Sequence, residues 1–400
     1  MAIVVSHPIQ YQAPWFRALA RVVDLDVYFC HRQDAAGQAA AGFDTPFEWD
    51  VPLLDGYQHH FLDNRASNPH VFSYSGCDTP ALEATLIAGR FDACIVSGWY
   101  LKSYVQAMRA CRRHRVKLLM RGDSQLGTRR SPIKSAVKWL PYRMFLNRID
   151  AHLYVGQANR AYLRHYGVPD EKLFFVPHFV DNEMFEAGAE RARTDGAAQS
   201  VRLRFGIPAD AFVALFVGRL VPLKRAADLV AAVGQARRMA GADIHVLIVG
   251  SGPDMAELQQ MAACLRVPAH FAGFCNQTQL PAHYAAADAL VLPSDGRETW
   301  GLVVNEAMAC GLPAIVSDAA GCASDLVQAG MTGHTFPLGD TAALADRLVL
   351  LDGDVATRSA EIRGAIRCRL RAYSCEAAVQ GTLKAVAAIV VGTGEGHARI

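Results

Sequence analysis

The chain has 400 residues, more than one ordinary core organises, so two domains are expected. Its apolar fraction of 52% is ample for packed cores, and a net charge of +2 gives no reason to expect a nucleic-acid partner. Its ten cysteines form no C-x-x-C pair and no histidine cluster accompanies them, so they read as small buried hydrophobes rather than as disulfides or zinc ligands.

The first apolar run, AIVV (2–5), reads as a buried strand. The polar turn SHPIQYQ follows, and a helix is expected from Pro14. Such a strand-to-helix turn is a usual seat for phosphate, and it is usually rich in glycine. This one has none and carries His7, Gln10, Tyr11 and Gln12 instead. Strands are expected next at 25–30, 92–97, 116–121, 151–156 and 173–177, with helices at 79–88, 101–114, 132–147 and 157–166. The stretch EAGAERARTDGAAQS (186–200) has no apolar period and reads as a linker or an exposed helix end. The alternation then resumes. Strands are expected at 212–218, 244–250, 269–273, 289–294 and 313–318, and helices at 223–239, 254–265, 277–287, 302–310, 323–329 and 341–351. A last helix is expected at 375–391, followed by the Gly-rich tail GTGEG. Strands separated by helices imply parallel, doubly wound sheets that bind ligands at the carboxyl ends of their strands. No basic stretch precedes the first apolar run, and no run nears the ~20 apolar residues of a spanning helix. A cytoplasmic chain is expected.

Three segments follow strands and carry chemistry. In PSDGRETWGLVVNEAMACGLPAIVSD (293–318), Glu298 falls in a loop and Glu306 in the following helix. Open amides at that helix start favour an anion, and Gly301 permits close backbone approach. In FVGRLVPLKRAADLV, Arg219 and Lys224 stand beside a helix start and suit a diphosphate. The plain readings, solvated glutamates and surface cations, stay open for each taken alone. In LIVGSGPDMAEL, Gly250 and Gly252 follow a strand, but Met255 occupies the third glycine position of the dinucleotide fingerprint. The D-x-D pairs Asp24/Asp26 and Asp352/Asp354 lie at a strand start and in an expected turn, and no metal is required of them.

Together GRL…K, VGSGP, FAGF, HYAAADALVLPS, the E-x7-E pair and EAMACGLPAIVSD resemble the nucleotide-sugar-binding half of glycosyltransferase family 4. The resemblance is strong over 215–348 and weaker before it. It implies an α/β GT-B fold, two Rossmann-like domains facing across an interdomain cleft. The expected domains are an acceptor-side domain over 1–185, with the helix at about 376–391 packed back on it, and a donor domain over 186–375. It also implies residue roles: Arg219 and Lys224 on the donor diphosphate, Glu298 on the transferred sugar, and Glu306 on the ribose hydroxyls. The backbone of Trp300, Gly301, Leu302 and Val303 would meet sugar and phosphate oxygens, and Gly250 and Phe274 would border the nucleotide. Asp123 aligns with the family's His-Asp region, but Arg121 and Gly122 replace the histidine's neighbourhood. His7, Gln10, Tyr11 and Arg121 are then expected on the acceptor side.

The implied activity is retaining transfer from a UDP- or GDP-sugar to a hydroxyl acceptor, a glycan or a lipid-linked molecule. No cofactor or metal is called for. A nucleotide-sugar sensor without turnover and a carboxylate-pair hydrolase are the competing readings. Between Lys102 and Arg148 there are thirteen basic residues and one acid, Asp123. Within 129–148, Ile133, Val137, Leu140 and Met144 share a helical face, interrupted at Pro141. That face either rests on an anionic membrane or packs into the core.

Overall fold

The computed structural model describes residues 1–39, 46–127 and 132–390. Arg129, Arg130 and the tail GTGEG lie outside them. The chain divides into two compact units, one of residues up to His178 plus the stretch from Cys375, the other essentially Phe179–Ser374.

In the first unit the elements run β1 (Ala2–Val5), α1 (Ala13–Ala20), β2 (Asp26–Phe29), α2 (Ala35–Gln38), β3 (Gln58–Phe61), α3 (Leu82–Ala88), β4 (Ala93–Val96), α4 (Lys102–His114), β5 (Lys117–Gly122), α5 (Pro132–Leu146), β6 (Ala151–Tyr154), α6 (Gln157–His165) and β7 (Leu173–Phe175). The sheet order is β3-β2-β1-β4-β5-β6-β7, all parallel. β1 and β4 are covered on both faces, so they read as unbroken apolar runs. β3 was not expected. It is an edge strand, QHHF, exposed along one side, and carries no apolar pattern to betray it. Pro141 does not interrupt α5, which runs unbroken past it.

The second unit begins with α7 (Asn182–Thr194) and α8 (Ala197–Arg204), where a linker or an exposed helix end was expected. Asp181 caps α7 by accepting from the Met184 amide at 3.1 Å, and Phe185, Ala189 and Ala192 form its buried face. Alanine makes that face hard to see as apolar. Then come β8 (Phe212–Val217), α9 (Ala226–Ala240), β9 (Ile244–Val249), α10 (Met255–Leu265), β10 (Ala269–Gly273), α11 (Leu280–Ala285), β11 (Ala289–Leu292), α12 (Leu302–Ala309), β12 (Ala314–Ser317), α13 (Ala323–Leu326), β13 (Gly333–Phe336) and α14 (Thr341–Leu370). The order β10-β9-β8-β11-β12-β13 is again wholly parallel. β13, GHTF, is the second unexpected edge strand. α14 runs well past 351, bending at Arg358, so Asp352 and Asp354 lie in a helix rather than a turn.

The last helix, α15 (Cys375–Val390), belongs to the first unit and packs on α1 and β7. Gly381 makes that possible: a Cβ there would stand 2.0 Å from the Phe175 carbonyl oxygen. Among the described residues no helix is long and apolar enough to cross a membrane. No cysteine is in a disulfide; six are buried, while Cys264 and Cys368 are exposed.

Candidate active site

In the second unit the strand order reverses between β8 and β11, the position where a doubly wound sheet opens a crevice. The loops leaving these two strands carry Arg219, Lys224 and Glu298, and α12, after the second loop, carries Glu306. Leu223 accepts from the Asp295 amide at 2.9 Å, which ties one loop to the other. Across this tie the Lys224 ammonium donates to the Glu298 carboxylate, and both side chains are only 14% exposed. Ser294 donates to the same Glu298 oxygen at 3.1 Å. Arg219 follows β8 directly, after Gly218.

Glu306 lies in α12 and is buried. Tyr284, on α11, donates to it at 2.7 Å. Burial pushes the Glu306 carboxyl up to about 7, against the Tyr284 hydrogen bond and the nearby Lys224 charge, which pull it down. Lys224 thus acts on both carboxylates of the E-x7-E pair.

Trp300 is not a surface aromatic. It is 3% exposed, its indole N–H donates to Asn305 at 2.8 Å, and its ring lies 5.9 Å from that of Tyr373. It anchors the start of α12. Gly301, at φ +107°, offers no capping side chain, so the helix opens with the bare amides of Leu302 and Val303. A Cβ on Gly301 would stand 2.5 Å from Leu292. Gly250 and Gly252 are demanded by close backbone packing. A Cβ on either would collide with the Gly218 or Leu220 carbonyl oxygen, at 1.9 and 2.3 Å. They let the loop after β9 press against the loop bearing Arg219. Phe274 is half-buried just beyond β10.

The first unit gathers a second group at the carboxyl ends of its strands. Arg121 is buried, donates to the Pro177 carbonyl at 3.1 Å and lies 5.0 Å from the Trp15 ring centre. Burial lowers its guanidinium to about 10. Tyr11 stands edge-on to His178 at 6.1 Å, and burial first, then the Asp123 charge, raises its phenol to about 12. His7 accepts from or donates to Ser6 at 2.9 Å, and burial holds its imidazole down at about 4. The Gln10 carbonyl oxygen is buried without a hydrogen-bond partner among the described residues. His178 was not singled out from the sequence. It sits 4.0 Å from the half-exposed Asp123, and burial keeps it neutral at physiological pH. The chain has no histidine adjoining Asp123 in sequence; His178 approaches it from beyond β7, a placement no local motif signals.

Residues 211–354 match the family model described as Glycosyl transferases group 1. This stretch, from just before β8 into α14, is similar to a group 1 glycosyltransferase domain. Arg219, Lys224, Glu298 and Glu306 all fall inside this domain. The curated relatives include a D-inositol 3-phosphate glycosyltransferase of Geodermatophilus obscurus, 36% identical over 206 residues, or 48% of this chain and 43% of that protein. They also include a GDP-mannose-dependent alpha-(1-6)-phosphatidylinositol monomannoside mannosyltransferase of Mycolicibacterium smegmatis, 33% identical over 50% of this chain and 52% of that protein. The chain thus spans about half the length of the curated relatives it matches. Among solved structures, Anabaena HepE with UDP and glucose superposes with a TM-score of 0.70 at 17% identity, over 96% of this chain and 98% of that one. Beyond the group 1 domain, therefore, both units share the glycosyltransferase fold, GT-B.

Proposed function

We propose that this chain is a retaining glycosyltransferase that moves a sugar from a UDP- or GDP-linked donor to a hydroxyl acceptor. The carrying observation is the Lys224–Glu298 pair, held beside the bare amides that open α12 and next to Arg219. Transfer breaks the bond between the anomeric carbon and the donor phosphate oxygen, and the electron pair leaves with the diphosphate. Arg219, Lys224 and the amides of Leu302 and Val303 neutralise that charge where it develops. They supply what a metal would otherwise provide. The acceptor oxygen enters on the same face and its proton passes to the departing phosphate, so no protein nucleophile is needed. Glu298 holds hydroxyls of the sugar and Glu306 those of the ribose, while backbone near Gly250 and Phe274 borders the base.

His7, Gln10, Tyr11 and Arg121 serve the acceptor, and Asp123 acts beside the transferred sugar. With His7 neutral and Tyr11 protonated, these two side chains and Gln10 offer uncharged donors and acceptors to hydroxyls. Relatives named for inositol 3-phosphate, a phosphatidylinositol mannoside and malate support a hydroxyl-bearing acceptor. The product is read as cell-surface polysaccharide, glycolipid or a glycosylated natural product, made at the cytoplasmic face of the membrane.

Thermal shift against common nucleoside-diphosphate sugars identifies the donor, and incubation with mixed acceptors then tests transfer. Nucleotide release coupled to acceptor glycosylation is expected. Cleavage of simple glycosides with no nucleotide requirement would sink the reading, and tight donor binding without turnover on any acceptor would make the chain a sensor. Tyr11→Phe and His7→Ala are expected to raise the acceptor KM several-fold, on the order of one lost hydrogen bond each, with donor binding unchanged. No change in acceptor kinetics would assign both side chains to the loop alone.

A further inference from the structure

The first unit also holds a cavity of about 1140 Å³ bounded by α4, β5 and α5, which reaches the Arg121–Asp123 segment only through Trp99, whose ring lies beside Gly122. Its floor is apolar: Trp99, Val105, Met108, Val116, Tyr142 and Phe145. Trp99 meets Tyr142 and Phe145 edge-on at 6.2 and 6.0 Å, which makes one wall aromatic. Arg109, Arg112, Arg115, Lys117 and Arg148 also line it, against the single carboxylate of Asp150. Asp150 is itself engaged, accepting from the Leu118 amide at 2.8 Å. Neighbouring Glu83 is taken by Arg113 and His114. Among the described residues none of the five cations is in an ion pair.

The adjoining flank of α5 is apolar and uncovered. Ile133 is 77% and Val137 71% exposed, and Leu140 and Met144 continue the same stripe one and two turns on. At about 100° per residue this stripe lies next to the face that Pro141 and Phe145 turn to the cavity. A largely apolar space lined also by cations outside any ion pair fits neither a sugar nor a free phosphate. It fits one molecule that is apolar for most of its length and anionic at one end.

We propose that this cavity binds an anionic phospholipid, its acyl portion on the Trp99–Phe145 floor and its headgroup phosphate among Arg112, Arg115 and Arg148, drawn from a bilayer on which the α5 stripe rests. Lipid binding of this kind deepens the reading of a membrane-borne acceptor but does not depend on sugar transfer.

The full chain is tested against monomeric dihexanoylphosphatidylglycerol below its micelle concentration and against floated vesicles with and without phosphatidylglycerol. Saturable binding of the monomer is expected, reported by a fluorescence change that Trp99→Phe abolishes. Flotation is expected only with phosphatidylglycerol, weakened about tenfold or more in Arg112→Glu/Arg148→Glu. Val137→Asp/Leu140→Asp should lose flotation yet keep monomer binding. UDP or GDP binding should survive in every variant, which separates failure here from failure of the transferase reading. Absence of saturable monomer binding, or equal binding to phosphatidylcholine, would overturn the proposal.

Discussion

Lys224→Ala is expected to lower turnover by about 10²–10³-fold and to destabilise the fold by about 3–5 kcal/mol. Both effects follow from one arrangement. The Glu298 carboxylate is 14% exposed and is shared by Lys224 and Ser294. Removing the ammonium leaves it charged and buried, with Ser294 still donating to it. The same ammonium is one of the groups assigned to the departing diphosphate. The effects separate in Lys224→Met/Glu298→Gln, where no buried charge is stranded. Thermal unfolding of that double variant should return most of the way to wild type, while kcat stays low. Recovery of turnover along with stability would show that the pair serves only the fold.

How much of this was legible depends on distance along the chain. The strands buried on both faces, such as β1, β4, β8 and β9, announce themselves as apolar runs because nothing on them meets water. The edge strands β3 and β13 do not: β3 alternates exposed and half-buried residues, and β13 sets a glycine, a histidine and a threonine where a central strand would be apolar. α7 hides for a related reason, its buried face being two alanines and a phenylalanine. In the site, Arg219, Lys224, Glu298 and Glu306 were visible because each stands just after a strand or at the following helix. Their couplings were not. Lys224 reaches across 74 residues to Glu298, and Tyr284 across 22 to Glu306. His178 arrives beside Asp123 only because β5, β6 and β7 lie side by side. The glycines at 250 and 252 likewise needed the neighbouring loop before their collisions with Gly218 and Leu220 could be seen.

Glu306→Gln is expected to stabilise the chain at neutral and alkaline pH while weakening nucleotide binding about tenfold. Burial raises the Glu306 carboxyl from its ordinary 4.5 to about 7. Below 4.5 the folded and unfolded chains both hold the proton, and this group leaves stability unchanged. Between 4.5 and 7 the folded chain holds it and the unfolded chain does not, so stability falls as pH rises. Above 7 the whole penalty, about 3 kcal/mol, is present. Glutamine still accepts from Tyr284 but carries no charge to desolvate, so the variant should melt higher than wild type, by a margin that opens with pH and levels off past 7. The binding loss runs the other way. A carboxylate can accept from both hydroxyls of a ribose, whereas the amide offers one acceptor oxygen. Donor affinity of the wild type should therefore rise with pH through about 7 as Glu306 ionises, and that of Glu306→Gln should stay flat. Calorimetric titration with UDP and GDP, alongside unfolding at matched pH, checks both halves. A variant no more stable than wild type at alkaline pH would refute the buried, proton-holding carboxyl. A parallel pH dependence of binding in the two proteins would remove Glu306 from the nucleotide.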